Sequence, residues 1–338
     1  MKNRPVNIKD VAADAGVSTM TVSRVLNNPD VVSKKTRLRV QEAIQRLGYR
    51  PNAIARSLKA QRTFALGLVT VDLTDSFFTM VTAGAEAEAR RQGYRLMLSS
   101  TERNPQDEPD FVNMLVEQHV DGILVIRDSI EIEDDPLFEL VTVGVPFVTT
   151  GYHLPHPELE IVDIDNIDGG YQATEHLLKH GHKHIAMITG PCNNKSAKDR
   201  STGYYKALSD HQLCCDPVLV TEGDWKPHSG YLGMQDLLKR DHPFTSVFVQ
   251  SDEMSIGVYR AIREAGLRIP QDISVIGYDD LLVADYLDPP LTSMQQPIRQ
   301  IGVLATQLLI KKILRQASGQ RIHLLKVKLV ERESVALI

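Results

Sequence analysis

The chain has 338 residues, of which 42% are apolar and 24% charged, with 21 glycines and 17 prolines. This composition favours folded cores over a disordered or fibrous protein, and the length suits two or three domains. The sequence contains no apolar run of the roughly 18 residues that a membrane-spanning helix needs, and the N-terminal residues lack the apolar segment of a secretory signal. Three cysteines, two of them adjacent, are too few for a disulfide framework, so we expect a protein of the reducing cytoplasm.

The net charge of −5 is distributed unevenly along the chain. Residues 1–62 hold 13 lysines and arginines against 4 acidic residues, whereas the remainder holds 25 against 39. A basic N-terminal segment on an acidic body indicates a polyanionic partner such as a nucleic acid. The alternative, a solubilising basic tail, does not explain the periodic apolar residues and turn signals that this segment also carries.

Residues 1–50 are predicted to form a helix-turn-helix with a third helix packed against it. Apolar residues recur at helical spacing within 8–15, Gly16 suits a helix C-terminus, and Ser18 suits the N-cap of a second helix. A third helix is expected from Ser33 to Gly48. Two short helices joined by a glycine-containing turn are typical of DNA-binding proteins, in which the second helix enters the major groove. A generic three-helix bundle remains the alternative.

The predicted second helix presents several candidate DNA contacts. Arg24 is expected to bind guanine through two hydrogen bonds, and Thr19 and Met20 are expected to contact base edges by hydroxyl and apolar contact. Hydroxyl groups nearby are of the kind that positions DNA phosphates. The full candidate set in this region is Ser18, Thr19, Met20, Thr21, Ser23, Arg24, Asn27, Ser33, Thr36 and Tyr49.

From residue 64 onward, strand-like and helix-like segments alternate. The predicted strands are 66–71, 95–98, 122–126, 146–149, 184–189, 218–220, 246–249 and 273–277, and the predicted helices are 77–92, 106–118, 169–180, 199–211, 229–240 and 254–265. Alternation of this kind predicts α/β folding around mostly parallel sheets with helices on both faces. About 275 residues exceed one ordinary domain of this type, so we expect two lobes, each a doubly wound parallel sheet.

Ligands of open parallel sheets bind at the carboxyl ends of the strands, so polar or aromatic residues directly after strands are candidate site residues. They are Asp72, Asp75, Phe77, Ser196, Arg200, Trp225, Ser251 and Asp279. A tryptophan, an arginine and carboxylates directed at one cleft suit a hydroxyl-rich ligand, because an aromatic ring stacks on a sugar face while charged groups bind hydroxyls.

The segment VNIKDVAADAGVSTMTVSRVLNN, followed by VSKKTRLRVQEAIQRLGYRPNAIARSLKAQRT, closely resembles the headpiece of the lac/gal repressor family, and the resemblance continues through nearly the whole chain. It implies a DNA-binding headpiece (1–50), a hinge (51–62) and a periplasmic-binding-protein-like effector domain (63–338). The first lobe would comprise 63–163 and 294–322, and the second 164–293 and 323–338. It also implies a sequence-specific transcriptional regulator, most often a repressor, that binds a palindromic operator as a homodimer and responds to a small effector.

The hinge, PNAIARSLKAQR, is about two helical turns long, which is too short to be stable alone in water. In the resembling family it folds on operator DNA and pairs with its twin, and a leucine enters the minor groove. That leucine corresponds to Leu58 here, and such insertion unstacks and bends the duplex. The further hinge residues that the resemblance assigns to DNA are Asn52, Ala55, Arg56 and Lys59. A plain linker is the alternative.

The resemblance also assigns roles within the cleft. The segment GPCNNKSAKDRSTGYYKAL matches the family segment that supplies Ser196 and Arg200 to the ligand, VIGYDD supplies Asp279, and EGDW supplies the stacking Trp225. The chain departs from the family at Ser251, where an asparagine is usual. The loop DLTDSFF is more acidic than usual, which favours a cationic or hydroxyl-rich ligand over an anion. The effector would therefore be a sugar, a sugar derivative or a nucleoside.

Other patterns were weighed against this interpretation. The stretch HLLKHGHKH (176–184) has a histidine spacing that a metal could use, but no cysteine or carboxylate completes a known signature, so structural histidines are expected and no metal or cofactor. The sequence contains no phosphate-binding or nucleophile motif, so no enzyme is expected. No heptad repeat follows the last predicted segment, so we expect no leucine-zipper extension like that of the lac repressor, and we expect a dimer. The rival hypothesis is a solute-binding or sugar-processing protein of the same fold without a DNA role.

Overall fold

A computed structural model describes residues 6–49, 62–127, 144–151, 159–214, 216–316 and 321–338. The chain divides into two compact units, Met1–Phe64, called the headpiece below, and Ala65–Ile338, called the body. Within the described ranges, no helix combines the length and the apolar character needed to cross a bilayer.

The headpiece consists of helices α1 (Ile8–Ala15), α2 (Thr19–Asn27) and α3 (Lys34–Leu47). Each helix begins at a polar N-cap residue, because the first backbone amides of a helix have no partner within the helix. The side chains of Asn7, Ser18 and Ser33 accept hydrogen bonds from backbone amides of the first turns of α1, α2 and α3. The shared core is formed by the buried side chains of Val11, Ala12, Ala15, Val22, Val25, Val40 and Ala43.

The first lobe of the body contains a six-stranded sheet in the order β2-β1-β3-β4-β5-β11. Its strands are β1 (Ala65–Thr70), β2 (Arg95–Ser100), β3 (Gly122–Ile126), β4 (Phe147–Thr150), β5 (Ile161–Ile164) and β11 (Ile322–Leu325), all parallel to their neighbours. Helices α4 (Ser76–Arg91), α5 (Glu108–Glu117) and α10 (Ile298–Ile313) pack in this lobe.

The second lobe contains a six-stranded sheet in the order β7-β6-β8-β9-β10-β12. Its strands are β6 (Ile185–Thr189), β7 (Val220–Glu222), β8 (Ser246–Val249), β9 (Ser274–Asp279), β10 (Thr292–Gln295) and β12 (Lys328–Val330), of which β12 pairs antiparallel with β10. The helices are α6 (Asn166–Lys179), α7 (Lys195–Asp210), α8 (Pro227–Lys239) and α9 (Asp252–Glu264).

The two sheets repeat one topology, because in each the first strand of the lobe lies between the second and the third. The α/β fold class with two doubly wound sheets and a helical headpiece is therefore confirmed. In this arrangement the strand order reverses beside β1 and beside β6, and ligands bind outside the carboxyl ends of strands at such points. The turns after these strands are where the site is to be sought.

The predicted lobe boundaries require correction near the C-terminal segments. The resemblance places 323–338 in the second lobe, but Leu324 and Leu325 pair with β5 in the first lobe and only β12 then joins the second sheet. Likewise, 294–295 belong to β10 of the second sheet rather than to the first lobe. Strand β5 itself was not predicted. Strands of three or four residues are too short for their periodicity to reveal which sheet they join.

Three helix pairs of the body approach closely at glycines. A Cβ atom on Gly170 would lie 2.1 Å from the carbonyl oxygen of Arg200, and one on Gly203 would lie 2.1 Å from that of Ile167. The α4–α10 and α8–α9 pairs show the same reciprocal contact, through Gly84 with Gly302 and Gly230 with Gly257. At the first of these crossings, the close approach fixes the start of α7, which carries two of the predicted ligand residues.

Candidate functional sites

The turn between α1 and α2 is built as the sequence predicts. Gly16 has a φ of 60°, a conformation that favours glycine, and its amide donates to carbonyls of the last turn of α1. The hydroxyl of Ser18 then accepts a hydrogen bond of 3.1 Å from the amide of Thr21. Arg39 from α3 donates to the carbonyl oxygen of Gly16 at 3.2 Å, which fixes the turn against the third helix.

The N-terminal part of α2 presents an exposed polar and apolar surface. Thr19 and Arg24 are exposed, and Met20 is 63% exposed although it is a large apolar residue. Isolated apolar exposure at the start of a helix is what contact with a thymine methyl group requires. Thr21 and Ser23 are half-buried beside it.

The remaining predicted DNA contacts lie around this surface or outside the described residues. Ser33 caps α3 and its hydroxyl lies 3.0 Å from that of Thr36, while Tyr49 packs partly against the core. The residues that cannot be placed are the side chain of Asn27 and the hinge residues Asn52, Ala55, Arg56, Leu58 and Lys59, which lie outside the described part of the chain. Their roles stay predictions.

The body contains a cleft lined by residues from both lobes. The space between its atoms amounts to about 800 Å³, open solvent at its mouth included. Seven of the eight predicted ligand residues line it: Asp75, Phe77, Ser196, Arg200, Trp225, Ser251 and Asp279. They meet there because the carboxyl ends of the strands in both sheets face this cleft.

Arg200 is held in the cleft by several contacts with the protein. Its Nε donates to Oδ1 of Asn166 at 2.9 Å, its Nη1 donates to the carbonyl oxygen of Gln250, and its guanidinium carbon lies 3.8 Å from the centre of the Tyr278 ring. The ring is itself held by a 3.2 Å hydrogen bond from its hydroxyl to Asn166. These contacts fix Arg200 before any ligand arrives, so its ordering does not have to be paid for on binding.

Asp279 ends β9 in a strained conformation, with a φ of 115°. Its Oδ1 accepts a hydrogen bond from Gln296 and lies 3.7 Å from Nη1 of Arg200. Burial raises the pKa of Asp279 to about 7, although Arg200 and Gln296 oppose the rise. A carboxylate kept accessible in such a desolvated place is a strong acceptor for a ligand hydroxyl.

Trp225 lies against the backbone of Gly190. A Cβ atom on Gly190 would lie 2.1 Å from the indole, so the glycine creates the room for the ring. Trp225 itself has a φ of 71°, and Arg200 lies 5.4 Å from the centre of its ring. The guanidinium therefore lies close to two aromatic rings, those of Trp225 and Tyr278.

The side chain of Ser251 lines the cleft and also caps α9, accepting a 3.2 Å hydrogen bond from the amide of Met254. Ser196 lies in the first turn of α7, whose cap is the buried Asn194. Two helix N-termini thus border the cleft, and each contributes partial positive charge to it.

Asp72 is not among the residues that line the cleft. It accepts hydrogen bonds from Thr74, which lower its pKa to about 2, and Arg103 binds it at 2.9 Å. Its role in ligand binding stays a prediction. Arg103 also binds Asp75 at 2.6 Å, and Lys226 approaches Asp75 at 3.4 Å. The acidic loop is therefore neutralised within the protein, so its sequence alone does not select a cationic ligand. Because Arg103 lies 31 residues from Asp72 along the chain, no local sequence pattern predicts this pairing.

Several cleft residues were missed by the sequence analysis. Asn166 follows β5 and Gln296 follows β10, and neither of these strands is among the predicted ones. Arg127 follows the predicted β3 directly, so the same rule that found Asp279 could have found it. Its guanidinium is buried and binds the carboxylate of Glu108, with Nε 3.0 Å from Oε2.

The histidine-rich stretch has structural contacts. His182 is buried and bridges the Thr245 hydroxyl, at 2.8 Å, and the carbonyl oxygen of Ala336, at 3.0 Å; burial lowers its pKa. The rings of His176 and His180 are in contact, with centres 4.2 Å apart and an angle of 45° between their planes. Among the described residues, no group of three or more histidines, cysteines or carboxylates is arranged to hold a metal ion.

Comparison with known proteins assigns both units. The family model "Bacterial regulatory proteins, lacI family" matches residues 7–52, and the model "Periplasmic binding protein-like domain" matches 174–335. The HTH-type transcriptional repressor PurR of Pasteurella multocida (strain Pm70) is 37% identical over 329 residues, which cover 97% of this chain and 98% of that protein. PurR of Vibrio atlanticus (strain LGP32) is 34% identical with the same coverage.

Solved structures agree. The lac repressor dimer bound to operator and the anti-inducer ONPF matches with a TM-score of 0.87 and 32% identity, covering 98% of this chain and all of that one. The complex of the transcriptional regulator CelR with cellobiose matches with a TM-score of 0.74 and 36% identity over the same shares. A helix-turn-helix joined to a two-lobed ligand-binding body is thus shared along the whole length of these repressors, and the chain belongs to the lacI family of bacterial DNA-binding transcriptional repressors.

Proposed function

We propose that the protein represses transcription as a homodimer on a pseudo-palindromic operator and that a neutral, hydroxyl-rich sugar in the cleft controls its operator affinity. The observation that carries the ligand class is the convergence of the Trp225 ring with Arg200 and Asp279. An aromatic face for the apolar side of a sugar, beside an acceptor and a donor for adjacent hydroxyls, is a chemistry that sugars satisfy.

The charges of the cleft support a neutral ligand. Its lining includes four carboxylates, those of Asp75, Asp163, Glu253 and Asp279, and three guanidiniums, those of Arg103, Arg127 and Arg200. Arg103 and Arg127 are bound to protein carboxylates, and Arg200 lies 3.7 Å from the carboxylate of Asp279, so each of these guanidiniums already faces a negative charge of the protein. A phosphorylated sugar or nucleotide would have to overcome this balance.

A nucleoside or nucleobase is the second candidate. The flat rings of Phe77 and Trp225 both line the cleft and suit a heterocycle, and the curated relatives are proteins named PurR. Thermal-shift and calorimetric screens with cellobiose, lactose, ribose, adenine and guanosine separate the two candidates, because a ligand of the folded state raises the melting temperature. We expect a sugar to bind, and we expect the Trp225→Ala substitution to lower the affinity for that sugar about tenfold or more. A purine that binds while every sugar fails would refute the sugar proposal.

The DNA-binding side of the proposal concerns the dimer and the hinge. We expect sedimentation of the protein with a selected operator duplex to give two chains per duplex. We expect the Leu58→Ala variant to bind operator DNA more weakly than the wild type and to bind the ligand with unchanged affinity. Affinity should also fall steeply with salt, as phosphate contacts require. One chain per duplex, or an unaltered operator affinity in Leu58→Ala, would contradict this part.

A further inference from the structure

Asp252, the first residue of α9, carries a carboxylate that the site described above does not use. Its side chain is completely buried, with a relative exposure of 0%, and it is not part of the cleft lining. Among the described residues it has no lysine or arginine partner, so both oxygens are satisfied by neutral donors. Burying a carboxyl group in this way is costly, and an apolar side chain would be cheaper unless the group holds something in place.

The two oxygens hold the chain directly after Asp279. Oδ2 accepts a 2.8 Å hydrogen bond from the amide of Leu281. Oδ1 accepts a 2.7 Å hydrogen bond from the hydroxyl of Ser293, and that hydroxyl oxygen in turn accepts from the amide of Asp280 at 3.2 Å. Asp252 therefore anchors two successive backbone amides, one directly and one through Ser293.

These amides belong to a backbone turn that ordinary residues avoid. Asp279 and Asp280 have consecutive positive φ values, 115° and 57°, and neither is a glycine. Such strain persists when surrounding contacts over-determine it. The side chain of Asp280 contributes as well, since it is bound by Gln295 and Arg332, each at 2.7 Å.

The neighbouring strand leaves room for this carboxylate. A Cβ atom on Gly277 would lie 2.3 Å from Oδ1 of Asp252, so a glycine in β9 is needed for the carboxylate to reach Ser293. Helix α9 also begins at Asp252, where the partial positive charge of its first turn favours an acceptor.

We propose that Asp252 is a positioning residue: it fixes the left-handed turn at residues 279–280 and thereby directs the Asp279 carboxylate into the cleft. The inference rests on the proposed function only for the role of Asp279 as a ligand contact. The geometric role of Asp252 can be tested without any ligand.

The test compares crystal structures of the full-length variants Asp252→Ala, Asp252→Asn and Ser293→Ala. Asp252→Ala removes both anchors, so Asp279 should leave its positive φ and lose its hydrogen bond to Gln296. Asp252→Asn should keep the turn, because the amide oxygen can accept from Leu281 while the amide nitrogen donates to Ser293. Ser255→Ala is the matched control: it removes an equally buried hydroxyl of α9, one that donates to the carbonyl of Ser251 at 3.1 Å. It should leave Asp279 unchanged.

Binding of the sugar found in the screen gives the second readout. We expect Asp252→Ala to lose about 10- to 100-fold in affinity, the loss typical of a charged hydrogen bond, and Asp252→Asn and Ser255→Ala to lose less than about threefold. If Asp252→Ala does not fold, Ser293→Ala and Gly277→Ala serve in its place, since the latter displaces the carboxylate without changing its charge. An unchanged Asp279 in every folded anchor variant overturns the proposal. Failure of the wild type to bind sugars would instead overturn the ligand assignment alone.

Discussion

The carboxyl group of Asp279 lies 3.7 Å from a guanidinium nitrogen of Arg200, and further carboxylates face it from both lobes. Its pKa is raised to about 7, and burial is the largest cause of the rise; Asp75 and Glu253 contribute to it, whereas Arg200 and Gln296 oppose it. The group therefore changes charge near neutral pH, unlike an exposed aspartate, whose pKa is near 3.9.

Ligand affinity should consequently depend on pH. A sugar hydroxyl donates best to the ionised form, so we expect affinity to rise between pH 6 and pH 8, by at most about tenfold per unit below the pKa. Because the folded-state pKa is above the unfolded value, the neutral form also stabilises the fold at low pH, and this stability is lost as pH rises through about 7. Calorimetric titrations across this range measure the first effect. In Asp279→Asn, binding should be weak and the pH-dependent loss of stability reduced; an unaltered pH profile of stability would contradict the assignment.

The position of Trp225 should depend on the absence of a side chain at residue 190. We expect Gly190→Ala to displace the indole, since the new Cβ atom would lie 2.1 Å from it, and to weaken sugar binding about as much as Trp225→Ala does. The double variant should then lose little more sugar affinity than either single variant, because the two substitutions remove the same contact between the indole and the ligand. Calorimetry on the three variants measures this, and additive losses would show that the two residues act separately.

Which residues line the cleft was predictable to the extent that each follows a recognisable strand. Asp279, Ser251 and Ser196 were found in this way, because the ends of parallel strands share one edge. Asp72 satisfied the same rule and yet turns to Arg103 instead. The sequence pattern predicts where a strand ends. It does not predict which side chain from a distant part of the chain will bind the residue that follows the strand.

At the scale of elements, polar caps decide where the headpiece helices begin. The hydroxyls of Ser18 and Ser33 have equivalent roles at the starts of α2 and α3. Each accepts a hydrogen bond from the backbone amide three residues further along the chain. The loss of such a cap costs about 0.5–2 kcal/mol. In α2 the cap also fixes the backbone at the positions of Thr19 and Met20, the two residues after it, which are predicted base contacts.

Ser18→Ala and Ser33→Ala form a matched pair. We expect both to lower the free energy of unfolding of the headpiece by about 0.5–2 kcal/mol, but Ser18→Ala to weaken operator binding more, because it frees the start of the predicted recognition helix. Calorimetric unfolding and fluorescence anisotropy with operator DNA measure the two effects. Equal losses of operator affinity in the two variants would argue against α2 as the reading element.

The helix boundaries show what the sequence pattern leaves out. Helix α7 was predicted from residue 199 but begins at Lys195, capped by Asn194, and α6 was predicted from 169 but begins at Asn166. The first turns of both helices are largely polar, so hydrophobic periodicity cannot detect them. Asn166 and Asn194 both line the cleft, so the turns that were missed are the ones that contribute site residues.

At the scale of the whole body, one ion pair spans the cleft. Asp75 caps α4 of the first lobe, and Lys226 precedes α8 of the second, with Nζ 3.4 Å from Oδ2. Burial and Asp75 raise the pKa of the nearby Glu253, whereas Lys226 and Arg103 lower it. The side chain of Lys226 is 41% exposed, so the pair is screened by salt and is worth roughly 0.2–1 kcal/mol.

Lys226→Met should therefore weaken sugar binding modestly, by about two- to fivefold at low salt, and reduce the dependence of affinity on salt. Calorimetry at about 50 mM and 500 mM salt, two conditions that differ strongly in screening, makes the comparison. Lys239→Met, which removes an exposed lysine at the other end of α8, is the control and should change neither quantity. If the two variants behave alike, the pair across the cleft does not stabilise the bound state.

The split between β11 and β12 has a consequence for how the body is made. Both sheets receive an edge strand from residues 322–330, the first from Ile322–Leu325 and the second from Lys328–Val330. During synthesis the headpiece can therefore fold early, while both lobes wait for the same late stretch of polypeptide. A premature stop codon shortly before residue 322 would leave two unfinished sheets with exposed edges, and such a truncated product is expected to aggregate rather than to persist as a partly active repressor.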